Sequence, residues 1–123
     1  MQEIIEEQED FITRTCKPYI QKLVKDLKQK NTENATLIYE HILAEQAEYN
    51  IKETTKTNKI KTLVYLSRHF DNTKSFWDMT KNDILNHMNA LRNNTINNNK
   101  WIGTCNYKQN VLTKFFRWLY NQN

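Results

Sequence analysis

One glycine, Gly103, and one proline, Pro18, are all that 123 residues contain, and that scarcity limits what the chain can become. Hairpins need residues at positive φ, which glycine adopts at no steric cost, and tight turns lean on glycine and proline together. The abundant Leu, Lys, Glu, Gln and Asn instead suit helices joined by polar connections. The expectation is an all-α fold. The length fits one ordinary domain around a single core, so we expect a compact bundle of four to five helices.

Hydrophobic periodicity places the helices. Ile4, Ile5, Phe11 and Ile12 repeat at helical spacing within the acidic stretch 3–13, which predicts a short helix and a break near residues 14–17. Pro18 suits a first helical turn and opens a helix running to about Gln29, with Ile20, Leu23, Val24 and Leu27 on one stripe. Residues 1–34 form an amino-terminal helical extension on this reading, and 35–123 form the bundle. Lys30 to Asn34 reads as a polar turn. The next helix starts near Ala35, capped by Thr32 or Asn34, with Ile38, Tyr39, Ile42, Leu43 and Ala47 inward. A helix over Thr55 to Phe70, with Thr55 as its cap, buries Ile60, Leu63, Val64, Ser67 and Phe70 and turns Lys56, Lys59, Lys61 and Arg68 outward. Thr80-Lys81-Asn82-Asp83 matches a capping box ahead of ILNHMNALR. Asn-rich 93–100 is an exposed loop. The last helix runs from near Thr104 to Tyr120; its apolar residues, Tyr107 and Tyr120 among them, pack inward.

Charge is distributed unevenly. Residues 1–50 hold six Lys/Arg against ten Asp/Glu, net −4, whereas 51–123 hold twelve against four, net +8. A basic carboxy-terminal part of that size is what a phosphate-facing surface needs, because each neutralised phosphate releases condensed counterions. Cys16 and Cys105 show neither C-x-x-C spacing nor paired histidines, which points to reduced thiols with no zinc and no disulfide. No run approaches the length of a membrane span, and the acidic start is unlike a signal peptide. The expected setting is the cytoplasm.

Catalytic constellations are missing. His41, His69 and His87 fit no H-E-x-x-H pattern, Ser67 and Ser75 lack a nucleophile elbow, and one glycine cannot build a phosphate loop. We expect neither metal nor cofactor, and no enzyme in the chain as given.

Three blocks, in this order, carry a resemblance. They are LIYEHILAEQAEYNIKETTKTNKIKTLVYLSRHF, FWDMTKNDILNHMNALR and KWIGTCNYKQNVLTKFFRWLYN, with Met79 to Ile84, Trp101 to Thr104 and Phe115 to Tyr120 the most specific pieces. Over roughly residues 37 to 121 the chain resembles the SAM-like core-binding domain that precedes the catalytic domain of archaeal tyrosine recombinases of the phage-integrase family. The resemblance implies a nucleoid-associated helical bundle forming half of a clamp around duplex DNA at an attachment or recombination site. It also implies a separate catalytic domain with an H-x-x-R element and a nucleophilic tyrosine. No H-x-x-R occurs here, so the chain is expected to bind DNA without cutting it.

The resemblance further implies that two helices face the major groove. Carried onto this sequence, the first offers Thr55, Lys56, Asn58, Lys59 and Thr62, and the second offers Thr104, Asn106, Lys108 and Lys114. Lysine contacts phosphate, while threonine and asparagine reach phosphate or base edges. A second reading stays open: a helical interaction module that binds no DNA, with self-association through the amino-terminal helices.

Overall fold

The structure, a computed structural model, describes residues 16–94 and 101–121, and their side chains apart from 93, 94 and 101–105. The predicted helix at 3–13 and most of the predicted loop at 93–100 lie outside the described residues. Among the described residues the fold is all-helical, as expected: α1 (Pro18–Lys30), α2 (Thr32–Tyr49), α3 (Glu53–His69), a single 3-10 turn (Phe76–Asp78), α4 (Lys81–Asn94) and α5 (Trp101–Tyr120). The chain divides into two compact units, Met1–Ser75 and Phe76–Asn123.

In the first unit α1, α2 and α3 all pack on one another. Pro18 occupies the first turn of α1, where its missing N–H costs nothing, and Lys28 and Lys30 sit at the negative end of the helix dipole. The expected turn from Lys30 to Asn34 shrinks to Asn31, which serves two helices at once. Its backbone N–H donates to Leu27 O at 2.6 Å and ends α1. Its side-chain oxygen accepts from the Asn34 N–H at 3.0 Å and caps α2, so the caps expected of Thr32 or Asn34 fall to it. Asn50 ends α2 in the left-handed region, φ 50°, which asparagine tolerates better than most residues.

The core of this unit is Ile20, Val24 and Leu27 from α1, Leu37, Ile38 and Ile42 from α2, and Ile60, Leu63, Val64 and Leu66 from α3. α1, assigned by sequence to an extension, thus contributes three of its core side chains. Leu43 is half-buried and Ala47 exposed, contrary to the inward face expected of them; at 100° per residue they lie about 100° and 140° around α2 from buried Ile42. A polar clasp fastens the loop after α3. Fully buried Asn34 donates to Ser67 Oγ at 3.1 Å and to Lys74 O at 3.0 Å. Ser67 donates in turn to Asn72 Oδ1 at 2.8 Å, and Asn31 Nδ2 reaches Asn72 O at 2.9 Å. Asp71 and Asn72 have φ of 55° and 60°, and the clasp holds this left-handed pair in place.

The second unit is built on aromatic rings. Phe76 is fully buried and meets Phe115 edge-on at 5.0 Å and 73°, while Phe115 meets Phe116 at 5.2 Å and 81°. Met79, Met88, Val111, Leu112 and Leu119 complete this core. Thr80 and Asp83 form the expected capping box: the Thr80 N–H donates to Asp83 Oδ2 at 2.9 Å, and the Asp83 N–H donates to Thr80 Oγ1 at 3.2 Å. α5 begins at Trp101, one turn before the expected Thr104.

Candidate nucleic-acid interface

α3 starts at Glu53, two residues before the expected cap, so Thr55 lies inside the first turn and Lys52 takes the cap position without a side-chain bond. That shift changes little; the orientation of the face changes more. Lys56 and Lys59, expected to point outward, are 1% and 5% exposed, and Thr62 is also buried. Thr55 and Asn58 are half-buried. Helical geometry explains the reversal, because Lys56 sits one turn before Ile60 on the stripe that continues through Leu63 and Ser67.

Each buried group has a local reason to be there. Lys56 Nζ lies 2.5 Å from Glu53 Oε1, and Lys59 Nζ lies 3.1 Å from Glu45 Oε1 on α2. A buried ammonium is tolerated only with such a partner. The Thr62 hydroxyl donates to Asn58 O at 2.8 Å, a bond internal to the helix. His41 Nε2 stands 3.6 Å from the same Glu45 oxygen. Burial holds His41 neutral by lowering its pKa to about 4; Glu45 pulls it up and Lys59 pushes it further down. Burial also raises the Cys16 thiol, opposed by Lys56. The two lysines are held in structural ion pairs, and none of these buried groups forms a surface for phosphate.

The outward side of α3 belongs to other residues. Lys61, Tyr65 and Arg68 follow one another at i, i+4 and i+7. Lys61 Nζ stands 5.7 Å from the centre of the Tyr19 ring, and the Arg68 guanidinium stands 5.9 Å from that of Tyr65. Of the two remaining residues expected outward, Arg68 is exposed and Lys61 half-buried, and periodicity gave no sign of the aromatic partner beneath each.

α5 divides more cleanly. Val111, Leu112, Phe115, Phe116 and Leu119 are buried. Asn106, Asn110, Thr113, Lys114, Arg117 and Asn121 are exposed along one arc of at most about 100°, reckoned at 3.6 residues per turn. Asn106 and Lys114 therefore lie where the sequence placed them. Lys108 is half-buried, on the inward stripe with Leu112, Phe115 and Leu119; Thr104 belongs to α5, with its side chain outside the description. Tyr107 and Tyr120, expected in the core, are 39% and 54% exposed. Both fall at the edges of the arc, between its polar residues and the buried stripe.

Counted by unit, the charge resolves differently from the halves of the sequence. Residues 1–75 hold twelve Lys/Arg and twelve Asp/Glu, net zero; residues 76–123 hold six against two, net +4. After Asp83 there is no acidic residue at all, so every charged side chain of α5 is a cation. Among the described residues, no cluster of three His, Cys, Asp or Glu side chains could hold a metal ion, and no helix is long and apolar enough to cross a membrane. No family model, curated protein or solved structure matches the chain.

Proposed function

We propose that the chain is a DNA-binding module that lays the exposed arc of α5 against duplex DNA. The observation that carries this reading is the chemistry of the arc: three asparagines, a threonine, Lys114 and Arg117, in a stretch of forty residues without one carboxylate. An α-helix fits the major groove. There asparagine pairs bidentately with adenine, and arginine pairs with guanine or with phosphate. This is the role that the recombinase resemblance implies for the second of its two groove-facing helices, with strand chemistry left to a separate catalytic domain. Lys56, Lys59 and Thr62 drop out of the interface, being committed to the interior of the first unit.

Anisotropy titrations of labelled duplexes, random and palindromic, at several salt concentrations test the proposal. Lys114 and Arg117 with one further cation neutralise two or three phosphates, so log Kobs should fall against log salt with a slope of about −2 to −3. A Lys114→Glu change should weaken binding at least about tenfold at low salt, since it replaces an attraction by a repulsion. Absence of binding to every duplex, or binding indifferent to salt and to Lys114→Glu, overturns the reading.

A further inference from the structure

A groove of about 490 Å³ runs between α4 and α5, within the second unit. Its apolar lining comes from Ile84, Leu85 and Met88 on α4 and from Leu112, Phe116 and Tyr120 on α5. Two of these six are surface residues on its lips: Leu85 is 48% exposed and Tyr120 54%. Large apolar side chains held open to water at a concave site mark a place where something docks. The α5 wall runs from Gln109 to Tyr120, which at 1.5 Å per residue is about 16 Å, or three turns of a helix. The charged side chains of the lining are Lys81, Arg92 and Arg117, all cations. Lys81 and Arg92 stand near opposite ends of α4. The two acids of the unit, Asp78 and Asp83, are not part of the lining, and Asp83 is engaged in the capping box.

From this combination we infer that the groove takes an acidic amphipathic helix of a partner protein. Apolar residues of the partner at i, i+3 or i+4, and i+7 fill the floor, and its carboxylates meet Lys81, Arg92 and Arg117 at the rim. The apolar floor argues against DNA as the occupant, because a phosphate backbone gains nothing from Ile84, Met88 or Phe116. Charge selects the partner: a basic amphipathic helix would fit the floor equally well but would be repelled by a lining whose charged side chains are all cations. The groove lies beside the DNA-facing arc and shares Thr113 and Arg117 with it, so the partner and DNA should compete in part.

The test is a titration of the full chain with a fluorescent peptide of about 15 residues that carries leucines at helical intervals and glutamates between them. Its controls are the same peptide with lysine for every glutamate, and a scrambled peptide. The glutamate peptide should bind in the micromolar range and the lysine and scrambled peptides at least about tenfold more weakly. Leu85→Asp and Tyr120→Ala alter exposed side chains, and circular dichroism checks that both variants fold. Each should weaken peptide binding about tenfold, and Lys114→Glu should change it by less than about threefold. Equal affinity for the glutamate and lysine peptides overturns the inference, as does indifference to both Leu85→Asp and Tyr120→Ala. A tenfold loss of DNA affinity in Leu85→Asp would assign the groove to DNA instead. A concentration-dependent dimer abolished by Leu85→Asp would assign it to a second copy of the chain. If the chain binds no DNA at all, the peptide result stands independently.

Discussion

Replacing Lys59 by methionine separates a structural lysine from a DNA-contacting one. The Lys59 ammonium lies 3.1 Å from Glu45 Oε1, and the two side chains are 6% and 11% exposed. At an effective dielectric of about 20, that separation corresponds to an attraction of about 5 kcal/mol, set against the cost of taking both ions out of water. Methionine keeps most of the volume and removes the charge. Glu45 then keeps its desolvation cost and loses its cation. Fully buried pairs broken in this way cost roughly 3–5 kcal/mol; Glu45 keeps a little water contact, so we expect about 2–4 kcal/mol. For a chain of this size the melting temperature should fall by around 10 °C. Thermal and urea unfolding followed by far-UV circular dichroism measure this. The double change Lys59→Met with Glu45→Leu removes both charges and should recover most of the loss. At a temperature where both proteins are folded, the DNA affinity of Lys59→Met should stay within about twofold of wild type, since a buried ammonium neutralises no phosphate. A variant that keeps its melting temperature within a degree or two and loses about tenfold in DNA affinity would place Lys59 on the interface and refute the ion-pair account.

Two further outcomes follow from groups already described. His41 is neutral in the fold, with a pKa of about 4, while the unfolded chain protonates its histidine near 6.5. The unfolded state therefore takes up the proton first as pH falls; stability drops from about pH 6.5 to about pH 4, by around 3 kcal/mol in the limit, and is unaffected by this group above pH 7. Urea midpoints across that range, compared with His41→Gln, check it; an equally steep decline in the variant would clear His41 of the effect. Thr80→Ala removes the oxygen that accepts from the Asp83 N–H and should cost about 1 kcal/mol, measured by urea unfolding, with Thr80→Ser close to wild type.

The sequence made some features legible because the cause is local. Scarcity of glycine and proline forecast helices, and the Thr80 to Asp83 spacing forecast a reciprocal cap that forms with both bonds in place. Apolar spacing forecast most of the cores of α3 and α5, although Phe70 and Trp118, expected inward, are only half-buried. Where the forecast went astray, the cause was tertiary or lay in reading residue type above position. Asn31 replaces a five-residue turn because its side chain caps one helix while its amide ends another and its Nδ2 reaches Asn72, forty-one residues away. Lys56 was assigned outward for being a lysine, although its register, one turn before Ile60, already placed it on the apolar stripe. Glu53 three residues earlier was a visible partner for it. Glu45, the partner of Lys59, comes from another helix and could not be foreseen. Tyr107 and Tyr120 were assigned inward for being aromatic, although their positions on the helical wheel are those of the exposed arc.

That bias toward residue type also shaped the charge balance, and correcting it alters what binding can be expected. A basic half of net +8 suggests a broad cationic surface, but two of its lysines are neutralised inside the first unit, whose Lys/Arg and Asp/Glu balance. On the proposed reading, the surface offered to a polyanion is that of the second unit, with its net +4 and its acid-free α5. An arc with two cations and four hydrogen-bonding side chains has more means of reading base edges than of gripping phosphates, so its selectivity should survive salt better than its affinity does. Specific complexes commonly reach 10⁻⁸ to 10⁻¹¹ M through interfaces of 1,000 Å² or more, and one helix face alone falls short of such an area. On the proposed reading the module therefore acts as half of a grip: it sets register on the duplex, and a second DNA-binding element, the catalytic domain that the resemblance implies, adds the remaining affinity through effective concentration.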